Sequence, residues 1–371
     1  MQISKEYDIA IIGGGIAGLS MAIQCAKSGL KTVLFEKDSY PRHKVCGEYI
    51  SNESLQFLSD LGIQLEGLNL PKISKFRLTN YFNHSSHCTL KPGGFGWSRY
   101  QFDEALYNRA QQVGVEVKTS TRITETQGSF IDGYKCKTNE GEFVHARMMI
   151  SAAGRAEAMK NQRTKEKSEP WVGVKYHLLD GPPSDTIEIH AFRSGYAGIS
   201  QIEDGKFCMA YLCKASGLKA FGGNIERYEN EVLSQNKHLA ERLKGRRVMG
   251  PITTSQFYFG VVDGDFSAIG DAAGFIPPLT GNGMSLALRS SKFSFHQVQK
   301  LFSNEIDETQ FQKEMSLYVK GYLKKRVNRG IVLQNLLFLK PETLNRAMMK
   351  VFSWSPFALR TMTKLAVGET I

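Results

Sequence analysis

The sequence predicts an α/β protein in which a dinucleotide-type βαβ unit is interleaved with an antiparallel β-sheet and followed by helices. Three observations carry this prediction. Strand, glycine turn, helix and strand follow one another within the first 37 residues. A β-rich block runs from about Trp171 to Cys213. A buried-strand pattern then returns at DFSAIGDAAG, so the two kinds of segment alternate along the chain instead of forming consecutive domains.

The opening run YDIAII is a short apolar strand that ends at Gly13-Gly14-Gly15. IAGLSMAIQCAKSG carries apolar residues at helical spacing and stops at Gly29, a natural C-cap, before the strand KTVLFEK. A helix is predicted over 101–112, followed by a strand pair or a strand and turn in VEVKTSTRITE. Residues 133–152 read as a hairpin turning at Asn139-Glu140-Gly141 and leading back to a buried strand. WVGVKYHLL, TIEIHAF, GYAGISQIE and KFCMAYLC, separated by Gly, Pro and Asp turns, form the antiparallel block. SLALRSSKFSFHQVQKLF is a helix, and helices are predicted from about Glu308 onward. The cofactor domain is therefore assigned to 1–70, 95–165 and 255–305, the antiparallel domain to 71–94 and 166–254, and a helical segment to 306–371.

At 371 residues, 42% of them hydrophobic and 22% charged, the chain has enough apolar material for one large or two interlocked domains. The six cysteines are scattered, with no CxxC pair and no Cys/His cluster at ligand spacing, which argues for a reducing compartment and against zinc. No basic-then-apolar leader precedes the first strand and no run of 18 apolar residues occurs. The expected location is the cytoplasm or the membrane periphery. The net charge of +11 is concentrated: between Lys313 and Lys364 there are eleven Lys/Arg and two Asp/Glu, or +9. A basic surface of that kind suits an anionic partner such as a lipid headgroup, an acyl carrier protein or a nicotinamide dinucleotide phosphate, or is simply a solvated face. No serine triad, P-loop or nucleic-acid module is visible.

Gly13-x-Gly15-x-x-Gly18 lies where a dinucleotide fingerprint requires it, at the strand-to-helix turn. Gly13 permits the turn, Gly15 admits a pyrophosphate to the backbone, and Gly18 lets helix and strand pack closely. Phosphates then meet the helix N-terminus. Glu36, at the end of the second strand, can accept from ribose hydroxyls. A second site is Gly270-Asp271-Ala272-Ala273-Gly274, followed by Pro277, Pro278 and Gly281-Asn282-Gly283-Met284. Its small residues leave room for backbone amides and a helix N-terminus to face a flavin, and its Asp can hold a ribityl hydroxyl.

These segments, with Arg99 of SRYQFD between them, resemble in order and spacing the FAD-dependent superfamily of para-hydroxybenzoate hydroxylase, geranylgeranyl reductases and flavin-dependent halogenases. The resemblance covers roughly the first 300 residues. It implies a Rossmann-type, glutathione-reductase-like FAD domain. In it Gly270 and Asp271 contact the ribityl and pyrophosphate part, Gly281 to Met284 run along the isoalloxazine, and Arg99 lies near the cofactor. Tyr40-Pro41-Arg42-x-Lys44-x-Cys46-Gly47-Glu48 is similar to a stretch of geranylgeranyl reductase-like proteins that lies by the flavin. Arg42 and Lys44 would bind FAD phosphates or stabilise negative charge on reduced flavin, and Cys46 is either a redox residue or packing. Ile16, Ala17, Lys37, Gly47, Ile123 and Gly154 complete the predicted cofactor-binding set.

No catalytic residue is fixed; the candidates are Cys46, Lys175 and Tyr196. Strand alternation puts Lys175 and His177 on one face and Val174 and Tyr176 on the other. The charged pair then faces either a cavity or solvent. Tyr196 stands where true geranylgeranyl reductases carry YxWxFP, but Gly198 replaces the tryptophan and Ile199-Ser200, which follow it, bring no Phe-Pro pair. The halogenases' WxWxIP is also absent. The resemblance thus implies an FAD-dependent oxidoreductase with NAD(P)H as a transient reductant, there being no second GxGxxG. Hydroxylation of a lipophilic, aromatic or polyketide-like substrate is the first expectation. Reduction of carbon–carbon double bonds in an isoprenoid lipid is the second, and halogenation or a non-catalytic flavin-binding module are minor ones. LLFLKPETLNRAMMKVFSWSPFALRTM mixes apolar and basic residues at roughly helical spacing, as in an amphipathic membrane helix, a lid over the substrate channel or a packed C-terminal helix.

Overall fold

A computed structural model describes residues 6–154, 169–262, 264, 266–339, 341–366 and 371. Residues 155–165 of the cofactor assignment, Asp265 of the returning strand and Lys340 of the basic segment lie outside the described residues.

The predicted βαβ unit is β1 (Glu6–Ile12), α1 (Ile16–Lys27) and β2 (Thr32–Phe35). The two strands pair in parallel, as a helical crossover requires. Then come β3 (Tyr49–Ser51), α2 (Leu55–Leu61), β4 (Lys72–Thr79), β5 (Ser85–Gly96), α3 (Arg99–Gln112), β6 (Glu116–Lys118) and a meander of β7 (Ile123–Ser129), β8 (Gly133–Thr138) and β9 (Phe143–Ser151). One six-stranded sheet has the order β6-β2-β1-β9-β8-β7. Its first four strands are parallel neighbours and its last three an antiparallel meander. Helices α1, α2 and α3 bury Leu19, Ile23, Phe57, Phe102 and Leu106 against Ile9, Ile11 and Ile150 on one face. Tyr7, Val33, Phe35 and Val144 fill the other.

The β-rich block forms β10 (Trp171–Leu178), β11 (Thr186–Phe192), β12 (Gly195–Gln201) and β13 (Phe207–Lys214). Three short helices follow, α4 (Ala215–Lys219), α5 (Ile225–Glu231) and α6 (Lys237–Leu243), then β14 (Arg247–Thr253). These strands join the earlier hairpin in an eight-stranded sheet of order β14-β10-β13-β12-β11-β4-β5-β3. The sheet is not wholly antiparallel, because β11 runs parallel to β4. That pair is not joined by a tight turn but by a long excursion through the other sheet, so direction is not dictated by a hairpin. Its edge strand β3 falls within 1–70, so the first assigned stretch contributes to both sheets.

The returning segment differs from its prediction as a buried strand. Ala268 makes only a single parallel bridge to Ser151 at the end of β9, and Gly270–Ala272 is already one 3-10 turn. Glycine and alanine here turn the chain instead of extending a ladder. On either side of this turn, β15 (Gly260–Val261) and β16 (Gly274–Phe275) pair as a two-stranded ribbon. The helices are α7 (Gly283–Phe302), α8 (Glu308–Leu317), α9 (Lys324–Leu336), α10 (Glu342–Trp354) and α11 (Pro356–Ala366), with a π-helical turn at Tyr318–Leu323 between α8 and α9. Helices α10 and α11 cover the hairpin face of the eight-stranded sheet, where Met349, Phe352 and Leu359 pack with Phe76, Ile189 and Tyr196. No helix among the described residues is long and apolar enough to cross a membrane.

Candidate cofactor and active site

Where β1 meets α1, backbone approaches backbone. Gly13 has φ +105°, and a Cβ there would lie 2.3 Å from the Ala152 carbonyl oxygen. A Cβ on Gly18 would lie 1.9 Å from the Gly13 carbonyl oxygen, so neither position admits a side chain. Gly15 is different. Its added Cβ would meet only Lys44 Nζ, at 3.9 Å, so it faces open space at the N-terminus of α1. The helix has no side-chain cap, which leaves its first amides free for an anion. Ile16 and Ala17 are the first buried residues of that helix.

Cationic groups converge on the same place. Glu36 is buried at the end of β2, accepts from the Gly14 amide at 2.7 Å and pairs with Arg42 at 2.9 Å. The Tyr40 hydroxyl and Arg42 Nη2 both donate to the Gly14 carbonyl, which fixes the turn. Arg42 Nε and Nη1 are buried and make no hydrogen bond. Burial lowers the Lys44 amine to about pKa 8, with the Asp103 carboxylate opposing that shift. Arg99 grips Asp103 with two hydrogen bonds of 2.6 and 2.7 Å. Burial pulls its pKa down, yet the Asp103 carboxylate more than offsets this and the guanidinium stays charged. Open space at Gly15, a helix N-terminus without a side-chain cap and two Arg42 nitrogens that make no hydrogen bond are what a pyrophosphate needs, so these residues fit FAD.

The second motif lies beside the first. The Gly270 amide donates to Ser290 Oγ at 2.9 Å, and the Asp271 carboxylate lies close enough to Arg99 to reinforce its charge. Pro278–Thr280 makes a 3-10 turn, then Gly281, Asn282, Gly283 and Met284 lead into α7. The Tyr196 hydroxyl accepts from the Leu279 amide at 2.8 Å. Tyr196 is thereby a positioning residue for this loop, and burial raises its phenol pKa, so it stays protonated. The Asn282 side chain donates to the Ala366 carbonyl at the end of α11. It is turned toward that helix.

The remaining predicted residues are spread more widely. Lys37 is exposed and ion-paired to Asp38. Ile123 begins β7, the outermost strand, and packs with Phe35 and Val144. Gly154, with φ +73°, follows the end of β9. Gly47 is exposed, and a Cβ there would meet nothing within 4 Å.

One cluster was not legible in the sequence. Glu48 is fully buried with φ +56°, a left-handed conformation that costs a non-glycine residue roughly 1–2 kcal/mol. It is held there by contacts from several elements. Lys175 Nζ donates to Oε1, His177 Nε2 lies 2.7 Å from Oε2, and the Arg99 amide donates to Oε1 at 2.7 Å. Burial alone would raise the Glu48 pKa, but the His177 hydrogen bond and the Lys175 charge hold it at about 2. Lys175 and His177 do share a face of β10, as alternation predicts; that face is buried and turns toward the cofactor unit, not toward water. The glutamate follows Cys46-Gly47 by one residue, but its pairing with Lys175 across 127 positions leaves no local pattern. Cys46 Sγ accepts from the Glu48 amide at 3.4 Å, and its carbonyl accepts from Cys208 Sγ at 3.2 Å. Glu48, His177 and Cys208 offer ligand atoms within 4.8 Å of one another, yet Lys175 already supplies the positive charge there. The cluster pins the Arg42–Glu48 segment between β10 and the cradle.

Residues 8–44, which span this cradle, match the family model for FAD dependent oxidoreductase. The match covers most of β1, then α1, β2 and the start of the Tyr40–Glu48 segment. Proteins similar to this chain include geranylgeranyl reductases and flavin-dependent halogenases. It is 22% identical to Conditioned medium factor receptor 1 of Dictyostelium discoideum across 78% of the chain, spanning 62% of that protein's length. With the 1H-pyrrole-2-carbonyl-[peptidyl-carrier protein] chlorinase of Pseudomonas fluorescens it shares 23% identity over 87% of the chain and 81% of the relative. With the digeranylgeranylglycerophospholipid reductase of Thermoplasma acidophilum it shares 22% over 92% and 90%. Solved structures share the fold of this chain, two of them as follows. A flavoprotein/dehydrogenase of Cytophaga hutchinsonii superposes with a TM-score of 0.77 at 17% identity, over 97% of this chain and 92% of that one. A geranylgeranyl bacteriochlorophyll reductase-like protein of Thermoplasma acidophilum gives 0.74 at 20% identity, over 99% and 97%.

Proposed function

We propose that this oxidoreductase hydroxylates a lipophilic, aromatic or polyketide-like substrate with electrons from NAD(P)H. The observation that carries the reading is a buried aromatic cluster packed against Leu279 of the 278–284 loop. Trp171 and Phe259 have ring centroids 5.7 Å apart, Phe257 and Phe275 5.1 Å, Phe259 and Phe275 5.6 Å, and Trp171 and Phe338 6.1 Å. Phe275 belongs to β16, a few residues before that loop. Trp171, Phe257 and Phe259 are buried, so the rings pack on one another and keep that side of the loop apolar and dry, a setting that favours a lipophilic substrate.

FAD, when bound, supplies two-electron chemistry open to molecular oxygen or to a carbon–carbon double bond. The chain's residues do the rest. Gly15, the α1 N-terminus, Arg42 and Lys44 take the pyrophosphate, and Glu36 the ribose. Gly270 and Asp271 take the ribityl chain. Tyr196 fixes the 278–281 loop, while Glu48, Lys175 and His177 lock the segment that carries Arg42, Lys44 and Cys46.

Double-bond reduction in an isoprenoid lipid is the second reading, favoured by the Tyr40–Glu48 segment and by the reductase relative. One experiment separates the two. Hydroxylation consumes one O₂ per NAD(P)H in a substrate-dependent manner and places an ¹⁸O label from ¹⁸O₂ in the product. Product formed at an undiminished rate under strict anaerobiosis would overturn hydroxylation and leave reduction.

A further inference from the structure

The apolar side of α10 is wider than the protein behind it. Asn345, Met349 and Phe352 face inward and are buried. Alongside that stripe Leu344, Val351 and Trp354 are exposed at 53%, 52% and 84%. Their spacing of seven and then three residues keeps them on one side of the helix. After a single connecting residue, Ser355, α11 continues the pattern with Phe357 at 76% and Leu365 at 53% exposed.

Basic residues border these apolar ones at four-residue spacing. Arg346 and Lys350 flank the stripe of α10, and Arg360 and Lys364 that of α11. Between 341 and 366 stand four Lys/Arg and one acid, Glu342. Glu342 lies 3.8 Å from Arg193 and Arg346 sits over the Phe82 ring, so local partners leave the positive excess in place.

We propose that α10 and α11 dock this protein on a bilayer that carries anionic lipids. Trp354 and Phe357 enter the headgroup–acyl boundary, while Arg346, Lys350, Arg360 and Lys364 face the lipid phosphates and carboxylates. Exposed large aromatics rimmed by cations are the composition of an interfacial helix, with apolar burial and electrostatic attraction acting together. A second copy of the chain fits less well. Across a two-fold axis the same patch would meet itself, setting four cations against four cations. The proposal is independent of which reaction the flavin performs, but it has a consequence for access. The carbonyl of Ala366, where α11 ends, accepts hydrogen bonds from Asn282 and Arg326, so the docking helix is tied to the loop at the cofactor site.

The test uses the full FAD-saturated chain and vesicles of phosphatidylcholine with or without phosphatidylserine. Trp97 and Trp171 are 2% and 5% exposed, so a change in tryptophan emission on adding vesicles reports Trp354. The expected result is a blue shift and co-flotation with phosphatidylserine vesicles, weak with phosphatidylcholine alone and reduced by salt. A Trp354→Ser/Phe357→Ser variant and an Arg360→Glu/Lys364→Glu variant, each retaining FAD and native circular dichroism, lose at least about tenfold in vesicle affinity. Trp354→Phe keeps binding but loses the shift. Failure of the wild type to float with phosphatidylserine vesicles overturns the proposal, as does full binding by both double variants. So does a concentration-dependent dimer that Trp354→Ser/Phe357→Ser abolishes while vesicles go unbound; that result would assign the face to a second copy.

Discussion

Glu48 and Lys175 are both wholly buried and form an ion pair, and the second carboxylate oxygen of Glu48 meets His177. Removing one partner strands the other, at a cost of roughly 3–5 kcal/mol. Lys175→Met is therefore expected to lower stability by that amount in urea denaturation, and Lys175→Met/Glu48→Gln to recover much of it. An additive double variant would show that the pair is not coupled. The pH dependence has a definite sign. Glu48 has its folded pKa held near 2, below the ordinary 4.5, so its contribution is present above pH 4.5 and lost as pH falls from there toward 2. Unfolding followed between pH 6 and 2 should lose that component in Glu48→Gln. Lys44 works in the other direction. With its amine near pKa 8, it must be protonated to greet a pyrophosphate, so FAD affinity should fall by about tenfold per pH unit above 8. A flat profile to pH 9.5, or one that Lys44→Met leaves unchanged, would remove Lys44 from the phosphate site.

At the scale of elements, the loop from Pro278 to Gly283 is held from two sides. Tyr196 accepts the Leu279 amide from the sheet, and Asn282 reaches across to α11. Tyr196→Phe removes one buried acceptor, which is worth roughly 1–3 kcal/mol because the amide is left unpaired. The expected outcome is a several-fold weaker hold on FAD with the sheet intact; unchanged FAD affinity would confine Tyr196 to packing. Alternation along β10 was legible in the sequence because period two is a local property, and it placed Lys175 and His177 together correctly. Whether that face met water was not legible, since its partner Glu48 comes from a segment more than 120 residues away. The GDAAG stretch misled for another reason. Its small residues mimic a buried strand, whereas Ser151 offers only one bridge and the chain turns at once.

For the whole molecule, the interleaving of two sheets was readable because each has its own period and its own turn residues, and the glycine fingerprint marks where they meet. The sheet order was not, because pairings such as β11 with β4 join segments that share no turn. Cofactor removal should be felt throughout, since the residues we propose to hold FAD come from β1, β2, the Arg42–Glu48 segment, α3 and α7. At free FAD 1,000 times the Kd, saturation should add about 4 kcal/mol over the stripped form, seen as a rise in Tm that depends on FAD concentration. The most direct test of the cradle is calorimetric titration of FAD into stripped wild type and stripped Gly15→Val. Gly15 has an ordinary extended backbone (φ −83°) and open space where a side chain would go, so the variant folds normally yet fills the pyrophosphate's place. One FAD per wild-type chain, none on Gly15→Val and equal melting of the two stripped proteins is the predicted result. Equal FAD binding by both would contradict the assignment of the site.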